Sequence, residues 1–462
     1  MEGVATIILA AGKGTRMKSE TVKVLHPILG LPMLSYPIDL ALNGIRSEKT
    51  IVVVGYQGDR IKEMFQSSQI HFALQAEQLG TGHAALQAIP FLQTFTGTVL
   101  ILCGDVPLVK ADTLRSFIGA FAESQSILSV LTTVVEDPFG YGRILRSPEG
   151  WLEKIVEEKD ASEKERSIRE INTGIYCVKV SFLVEGLREI GKENAQGEYY
   201  LTDLVEIAKK KGLRCSAHIV SDPVEVMGIN TRVDLAIAGE VLRLAKLKDL
   251  MLSGVTIMDP KTTYVDQTVE IGEDTLLYPN CHLQGKTRIG GRCVIEPNSN
   301  VSDSTIGDTV IIRSNCVITE SNIEEGASIG PFSHLRPLSD VKAKAKIGNF
   351  VEVKKSVIGR GSKANHLTYI GDSVVGEGVN IGAGTITCNY DGFEKHQTVI
   401  GDRAFVGSNV ELVAPVKVGN ESTIGAGTTV TKDIPEGALA ISRTKQKNIK
   451  GWSKKRGRPR KK

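Results

Sequence analysis

Three groups of residues in this 462-residue chain have types and spacings that could do chemistry. The first is the run Leu9-Ala10-Ala11-Gly12-Lys13-Gly14-Thr15-Arg16-Met17. Glycine here lets backbone N–H groups come close to phosphate oxygens, and Lys13 and Arg16 add positive charge. It lacks the G-x-x-x-x-G-K-[ST] of a P-loop and the third glycine of a dinucleotide fingerprint, so a tight turn with incidental charge fits as well. The second is Asp105, directly after the apolar run Val99-Leu100-Ile101-Leu102-Cys103. A carboxylate there either caps a turn or stands where parallel sheets place their ligands. The third is His366, in Asn365-His366-Leu367-Thr368-Tyr369, which is either an idle surface imidazole or a base.

What positions these residues is legible from two periodicities. From Ile271 to Ile434 an aliphatic recurs every sixth residue: Ile271, Leu277, Leu283, Ile289, Ile295, Val301, then Ile306, Ile312 and Ile318. The beat returns at Ile323, Ile347, Ile358, Ile370 and Ile400, usually with a small residue such as Thr275, Cys281 or Cys293 four places on. Six fits neither an amphipathic helix nor a hairpin array. It predicts short parallel strands joined by tight corners, three flats to a coil, each with one aliphatic pointing inward. Handedness does not follow from the period. His366 lies two places after the inward position of Ala364 and so faces out. The beat stops after Thr387 and resumes at Ile400, so Cys388 to Val399 must leave the coil as a loop.

Before the solenoid, apolar runs alternate with helical patterns. Strands are expected at Val4–Ala10, Thr50–Val54, Ile70–Leu74, Thr98–Leu102 and Ile127–Val135. Helices are expected near Pro32–Asn43, Asp59–Gln66, Gly82–Ala88 and Lys110–Glu123. Such alternation predicts a mostly parallel, doubly wound α/β sheet with helices on both faces. The expected division is 1–231 for this domain, 232–252 for a connecting helix, 253–440 for the solenoid and 441–462 for a basic tail. Ile237, Val241, Leu244 and Leu247 predict one packed face on the helix.

Net charge is +3, but ten Lys/Arg and no acid lie between Thr444 and Lys462, so the body is mildly acidic. Seven cysteines with no C-x-x-C argue against both a disulfide framework and a zinc site. The apolar run at Thr6–Ala11 is too short for a signal peptide or a membrane span, and the natural reading is cytosolic. The tail's Arg458-Pro459 follows Arg456-Gly457, a pattern that can enter an A·T-rich minor groove. A disordered end, or contact with a phosphate-bearing substrate, explains it more simply.

The glycine-rich run resembles the signature of sugar-nucleotide pyrophosphorylases. The likeness continues in Lys23-Val24-Leu25-His26, Leu74 to Ala84, Gly104-Asp105-Val106-Pro107-Leu108, Gly140-Tyr141-Gly142-Arg143-Ile144 and Ile171-Asn172-Thr173-Gly174. With the solenoid and its Asn380 to Gly392 motif, the whole chain is similar to the bacterial family that fuses an N-acetylglucosamine-1-phosphate uridyltransferase to a glucosamine-1-phosphate acetyltransferase. The family fold is a nucleotidyltransferase domain followed by a left-handed parallel β-helix. The implied route is acetylation of glucosamine 1-phosphate by acetyl-CoA, then coupling to UTP, giving UDP-N-acetylglucosamine and pyrophosphate for cell-wall precursors. A cytoplasmic homotrimer with small-molecule substrates, and no membrane or nucleic-acid partner, is also implied.

Residue by residue, the resemblance implies that Asp105 and Asn230 hold Mg²⁺, and one carboxylate plus an amide suits a hard ion that keeps waters. Arg16 and Lys23 would meet phosphates. Leu9, Ala10, Ala11, Gly12, Gln75, Gly80 and Thr81 would frame the uracil, with paired hydrogen bonds from Gln75. Cys103 and Gly104 would line the nucleotide, and Gly140, Glu157, Asn172 and Asn230 the amino sugar. His366 would be the acetyl-transfer base, oriented by Glu352. Arg336, Lys354 and Lys395 would bind the sugar phosphate, with Tyr369, Asn380, Asn389 and Tyr390 near sugar and acetyl groups. Ala383, Ser408, Ala426 and Arg443 would line the CoA side. Val22 and Cys103 depart from the family's usual proline and aromatic. A binding scaffold, a transferase with a merely regulatory solenoid, and a zinc hydratase are the rivals; the last needs three converging histidines.

Overall fold

The computed structural model describes residues 3–455, in two compact units that divide between Leu242 and Arg243. The arginine-rich end, Arg456 to Lys462, lies outside the described residues.

In the first unit β1 (Val4–Ala10), β2 (Lys49–Val54), β3 (Ile70–Leu74) and β4 (Thr98–Cys103) are parallel neighbours in the order β4-β1-β2-β3. Their apolar runs are continuous because both faces are covered. Ile7, Ile51, Val53, Val99 and Ile101 pack into one core, and Ile8, Val52, Val54, Leu100 and Leu102 into another. The sheet continues through β5 (Leu128–Val134), β8 (Glu170–Lys179) and β9 (Cys215–Val220), in the order β9-β5-β8-β4. β6 (Arg143–Arg146) and β7 (Leu152–Val156) form a side ribbon on β8. β8 runs antiparallel to both neighbours, so the sheet is mixed. The chain moves outward from β1 to β3 and returns at β4. The carboxyl ends of β1 and β4 therefore flank a topological switch point, where open α/β sheets bind ligands.

The predicted helix at 32–43 is a short α-helix, Ser35–Asp39, running into a wider π turn, Leu40–Gly44. The connecting helix spans Arg232–Leu252. Of the packed face expected on it only Leu247 is buried; Ile237, Val241 and Leu244 are exposed by 47, 37 and 44%. Ala238 is buried instead, in the first unit with Met33 and Ile229, and Leu247 and Leu250 are buried in the solenoid core. The two halves of the helix bury different residues, each within its own unit, and a single stripe read along the sequence misses Ala238 and Leu250.

The second unit is a three-faced parallel β-helix. Leu276 pairs with Val294, Val294 with Ile311 and Ile311 with Ser328 along one face. Tyr264, His282, Asn300, Val317 and His334 pair along the second, and Glu270, Arg288, Thr305, Asn322 and Asp340 along the third. The six-residue aliphatics fill the axis; Leu277, Leu283, Ile295, Ile312, Ile329 and Leu412 are fully buried. The small residues close the corners, and their hydroxyls donate to backbone carbonyls, as Thr275 does to Gly290 and Ser333 to Gly348. Turning each corner takes one residue with positive φ. On one edge these are Asn280, Asn298, Asn315, Phe332, Phe350, Leu367, Gly384, Asn409 and Gly427. Asparagine and glycine tolerate the left-handed region, whereas phenylalanine and leucine do so at a cost.

Candidate active sites

Gly12 follows β1 and Asp105 follows β4, so the switch point brings them together. They share a cavity of about 290 Å³ with Leu9, Ala10, Ala11, Lys23, Gln75, Gly80, Thr81 and Cys103. Gly80 is held at φ +112, and a Cβ there would meet the Tyr199 carbonyl at 2.6 Å, so only glycine fits. Gly104 does not face the cavity. It is buried, with its Cα side against the Leu9 carbonyl, Ala10 and Leu34, because strand pairing turns it inward.

Asn230 reaches Asp105 through backbone: the Ile229 N–H donates to the Asp105 carbonyl at 2.9 Å. Asp234 then caps the following helix, accepting from the Asn230 and Thr231 N–H groups at 2.9 and 2.8 Å. The Lys23 ammonium donates to the Asp105 carboxylate and, at 3.2 Å, to the Asn230 side-chain oxygen. Arg16 donates to the same oxygen at 2.8 Å. Two hard oxygens therefore converge on the Lys23 ammonium; one carboxylate and one amide oxygen fit Mg²⁺, with waters and phosphate oxygens needed to complete its six ligands. Gly14 packs over the Lys23 stem and has no room for a side chain, since a Cβ would lie 2.4 Å from the Lys23 Cβ.

Cys103 donates to the Gly174 carbonyl at 3.5 Å, and burial, reinforced by Asp105, pushes its thiol up to about 12. It remains a neutral lining group. The residues expected to hold the amino sugar cluster beside it. A Cβ on Gly142 would lie 3.4 Å from Glu157 Oε1 and 3.5 Å from Asn172 Cβ, and the Asn172 N–H donates to the Gly142 carbonyl at 2.8 Å. The Asn172 side-chain amide donates to Tyr176 Oη at 2.9 Å. Gly140 is exposed on the loop before β6, and its N–H donates to Glu158 at 3.2 Å. Glu157 lines an adjoining acidic cleft of about 520 Å³ with Asp160, Asp203 and Glu206. Burial raises the Glu157 pKa, and Asp160 adds to the rise. Asp203 is pushed up to about 6, chiefly by burial and then by Glu206.

Gln75 departs from the expected pairing. Its side-chain nitrogen donates to the Gly80 carbonyl at 3.0 Å and meets His83 Nδ1 at 3.1 Å. Both N–H groups are spent inside the protein, so the residue offers the cavity one acceptor, not two bonds. His83 was not singled out from the sequence; its place in the first turn of the helix Thr81–Gln87, which Gly80 caps, was the available signal.

In the solenoid His366 is exposed, as its phase predicts. Its Nδ1 partner is Asn349 Oδ1 at 2.8 Å, not Glu352. The register explains the difference: Asn349 lies beside His366 in the adjacent coil, while Glu352 lies beside Tyr369 and accepts from Arg336 at 2.9 Å. An amide oxygen only accepts, so Nδ1 carries the proton and Nε2 keeps a free lone pair.

His366 shares its edge of the prism with the residues expected on the CoA side. Gly384 N–H bonds the Leu367 carbonyl, Asn409 N–H that of Ala383, Gly427 N–H that of Ser408, and Arg443 reaches that of Ala426 at 2.8 Å. The residues expected to bind the sugar phosphate occupy a different edge. Lys354 lies 3.6 Å from Asp372 and contacts Lys395, with Arg336 within Coulomb reach. The Lys354 ammonium beside it lowers the Lys395 pKa, and a bound dianion would relieve that repulsion. Asp372, which the sequence gave no reason to choose, accepts from Asn389 at 2.6 Å, and Asn389 lies 3.5 Å from Tyr369 Oη. Lys395 comes from the insert, pinned by a bridge from Tyr390 and by Asp391, which accepts from the Phe393 and Glu394 N–H groups and pairs with His396. Tyr390 is 59% exposed, with its hydroxyl turned back to the Gly392 carbonyl. Asn380 pairs with Lys363 and Phe405 on another face, and one chain does not bring it to this cluster.

A glycine-rich loop beside a Lys23–Asp105–Asn230 cluster at the switch point of a mixed α/β sheet, followed by a hexapeptide β-helix carrying His366 bonded to Asn349, is the architecture of a bifunctional transferase. A family model described as nucleotidyl transferase matches residues 5–222, and one described as hexapeptide repeat of succinyl-transferase matches 397–432. The repeat match accords with a left-handed β-helix. The chain is 53% identical over 98% of both chains to the bifunctional protein GlmU of Pelobacter propionicus. It is 51% identical to that of Geotalea uraniireducens over 99% of this chain and all of the relative, and 48% to that of a Geobacillus species over 96% of each. The chain belongs to the bifunctional GlmU family. No described helix is long and apolar enough to cross a membrane.

Proposed function

We propose that the chain acetylates glucosamine 1-phosphate with acetyl-CoA in its second unit. Its first unit then couples the N-acetylated sugar phosphate to UTP, releasing pyrophosphate. The observation that carries this reading is the presence, in one chain, of the Lys23–Asp105–Asn230 cluster and the Asn349–His366 pair. In the first unit Asp105 and Asn230 hold Mg²⁺, which supplies charge neutralisation of the nucleotide phosphates when bound. Arg16 and Lys23 hold the phosphates in line, and Glu157, Asn172 and the Gly140 loop hold the sugar. Positioning and electrostatics are most of what this chemistry asks of a protein.

In the second unit Arg336, Lys354 and Lys395 bind the sugar phosphate. Nε2 of His366 takes a proton from the sugar ammonium, which frees the amine lone pair to attack the thioester carbonyl; the C–S bond then breaks, and the CoA thiolate leaves and regains a proton. Asn349 fixes the ring tautomer, and the Ala383–Ser408–Ala426 edge receives CoA. Because the base and the phosphate set stand on different edges, the acetyl-transfer site is completed between copies of the chain. Phe332, Phe350 and Leu367 support this. They are 50, 56 and 62% exposed on the edge beside His366, at left-handed positions that neighbouring coils give to asparagine or glycine. A homotrimer covers them.

The test is mass spectrometry of the full chain with glucosamine 1-phosphate, acetyl-CoA, UTP and Mg²⁺. Omitting UTP should stop the reaction at N-acetylglucosamine 1-phosphate, and a chain that consumes UTP without acetylating leaves the solenoid a regulatory module. All these substrates are cytoplasmic in kind, which is where we place the protein.

A further inference from the structure

The Gln75 amide is fixed by two contacts, one to a backbone carbonyl and one to an imidazole. Gly80 contributes a backbone carbonyl, which can only accept, so the amide end 3.0 Å away must be the NH₂. The same nitrogen lies 3.1 Å from His83 Nδ1, so that ring atom must accept and the imidazole must carry its proton on Nε2. The ring is held for this task. It stacks on Tyr199, with centroids 6.0 Å apart, and the Tyr199 backbone bonds Leu79 and Gly82 on either side of the Gly80 turn. Gln75 itself is 3% exposed, and its Oε1 has no hydrogen-bond partner among the described residues, although the side chain lines the nucleotide cavity with Gly80 and Thr81.

A buried, acceptor-only group is a reader of one base edge. Uracil presents N3–H as a donor, whereas cytosine presents a bare N3 acceptor in the same place. We propose that His83 is a specificity-determining positioning residue: by accepting at Nδ1 it locks the Gln75 amide with Oε1 towards the base, so that the cavity takes a uracil edge and rejects cytosine. This rests on the uridylyl-transfer reading above. Replacing the acceptor by a donor-only group sets two donors against each other at the Gln75 nitrogen. The amide then turns or withdraws, and discrimination is lost even where the fold survives.

The experiment compares kcat/KM for UTP and CTP, with N-acetylglucosamine 1-phosphate and Mg²⁺, in the full chain and in His83→Lys and His83→Gln. Each ratio is measured on one preparation, so partial unfolding cancels. His83→Lys should lower the UTP-to-CTP ratio about 10- to 100-fold, the worth of one misplaced buried hydrogen bond. His83→Gln, whose carbonyl can still accept, should stay within about threefold of wild type by the same reasoning. A His83→Lys ratio equal to wild type, or equal losses in both variants, overturns the proposal. A wild-type chain that does not use UTP at all overturns the uridylyl reading itself, an outcome distinct from an unchanged ratio in a chain that does.

Discussion

Phe350→Asn should change folding and assembly by very different amounts. Phe350 has φ +56, a region that costs a bulky residue about 1–2 kcal/mol and that asparagine tolerates. Its ring stacks on Phe332, with centroids 5.3 Å apart, a contact worth about 0.5–1.5 kcal/mol. Within one chain the backbone gain and the lost stack nearly cancel, so the stability of an isolated solenoid should move by less than about 1 kcal/mol. Assembly has no such compensation. More than half of the ring, 56%, is exposed in the single chain, and covering it is worth about 1–1.5 kcal/mol at the usual value for a large apolar side chain. Three copies in a trimer sum to roughly 3–5 kcal/mol, or about 10²–10³-fold or more in the association constant. Sedimentation equilibrium across a dilution series, paired with thermal melts, measures both quantities. Acetyl transfer should fall with the trimer fraction while uridylyl transfer holds. An unchanged mass distribution in Phe350→Asn would refute the view that this edge is covered by a second copy.

His366→Ala should cut acetyl transfer about 10²–10⁴-fold and leave uridylyl transfer intact, as separate half-reaction assays would show. Asn349→Ala should cost less, about tenfold, because the base survives and only its orientation is lost. Asp105→Asn should do the reverse, lowering uridylyl transfer by about 10²-fold or more with acetyl transfer unchanged. Lys23→Met should also slow uridylyl transfer, yet the ligand-free chain should bind Mn²⁺ more tightly in an electron paramagnetic resonance titration, since no ammonium then bridges Asp105 and Asn230. Asp203 gives a pH effect of defined sign. Its pKa, about 6 against 3.8, means the folded chain keeps a proton that the unfolded chain releases. Stability of the first unit's melting transition should therefore fall as pH rises from about 4 to 6, and Asp203→Asn should flatten that fall.

The sequence by itself determined the two architectures, because both rest on local periodicity. A six-residue beat of aliphatics with a small residue after each has one good solution, a three-sided coil, and Leu277, Ile312 and Leu412 lie buried where the beat puts them. Alternating apolar runs and helical patterns likewise specify an α/β sheet, and the end of β4 had to present Asp105. Sequence spacing does not say which residues meet across coils and strands. The 17-residue offset that sets Asn349 beside His366, and Glu352 beside Tyr369, is a register, fixed only when the corners close. The reversal of β8 and the split burial of the Arg232–Leu252 helix are decided by what packs against them, Ala238 in one unit and Leu247 in the other. The orientation of Gln75 is the sharpest case: its letter says amide, and only the carbonyl of Gly80 and the ring of His83, folded back onto it, decide that the oxygen is the end left free.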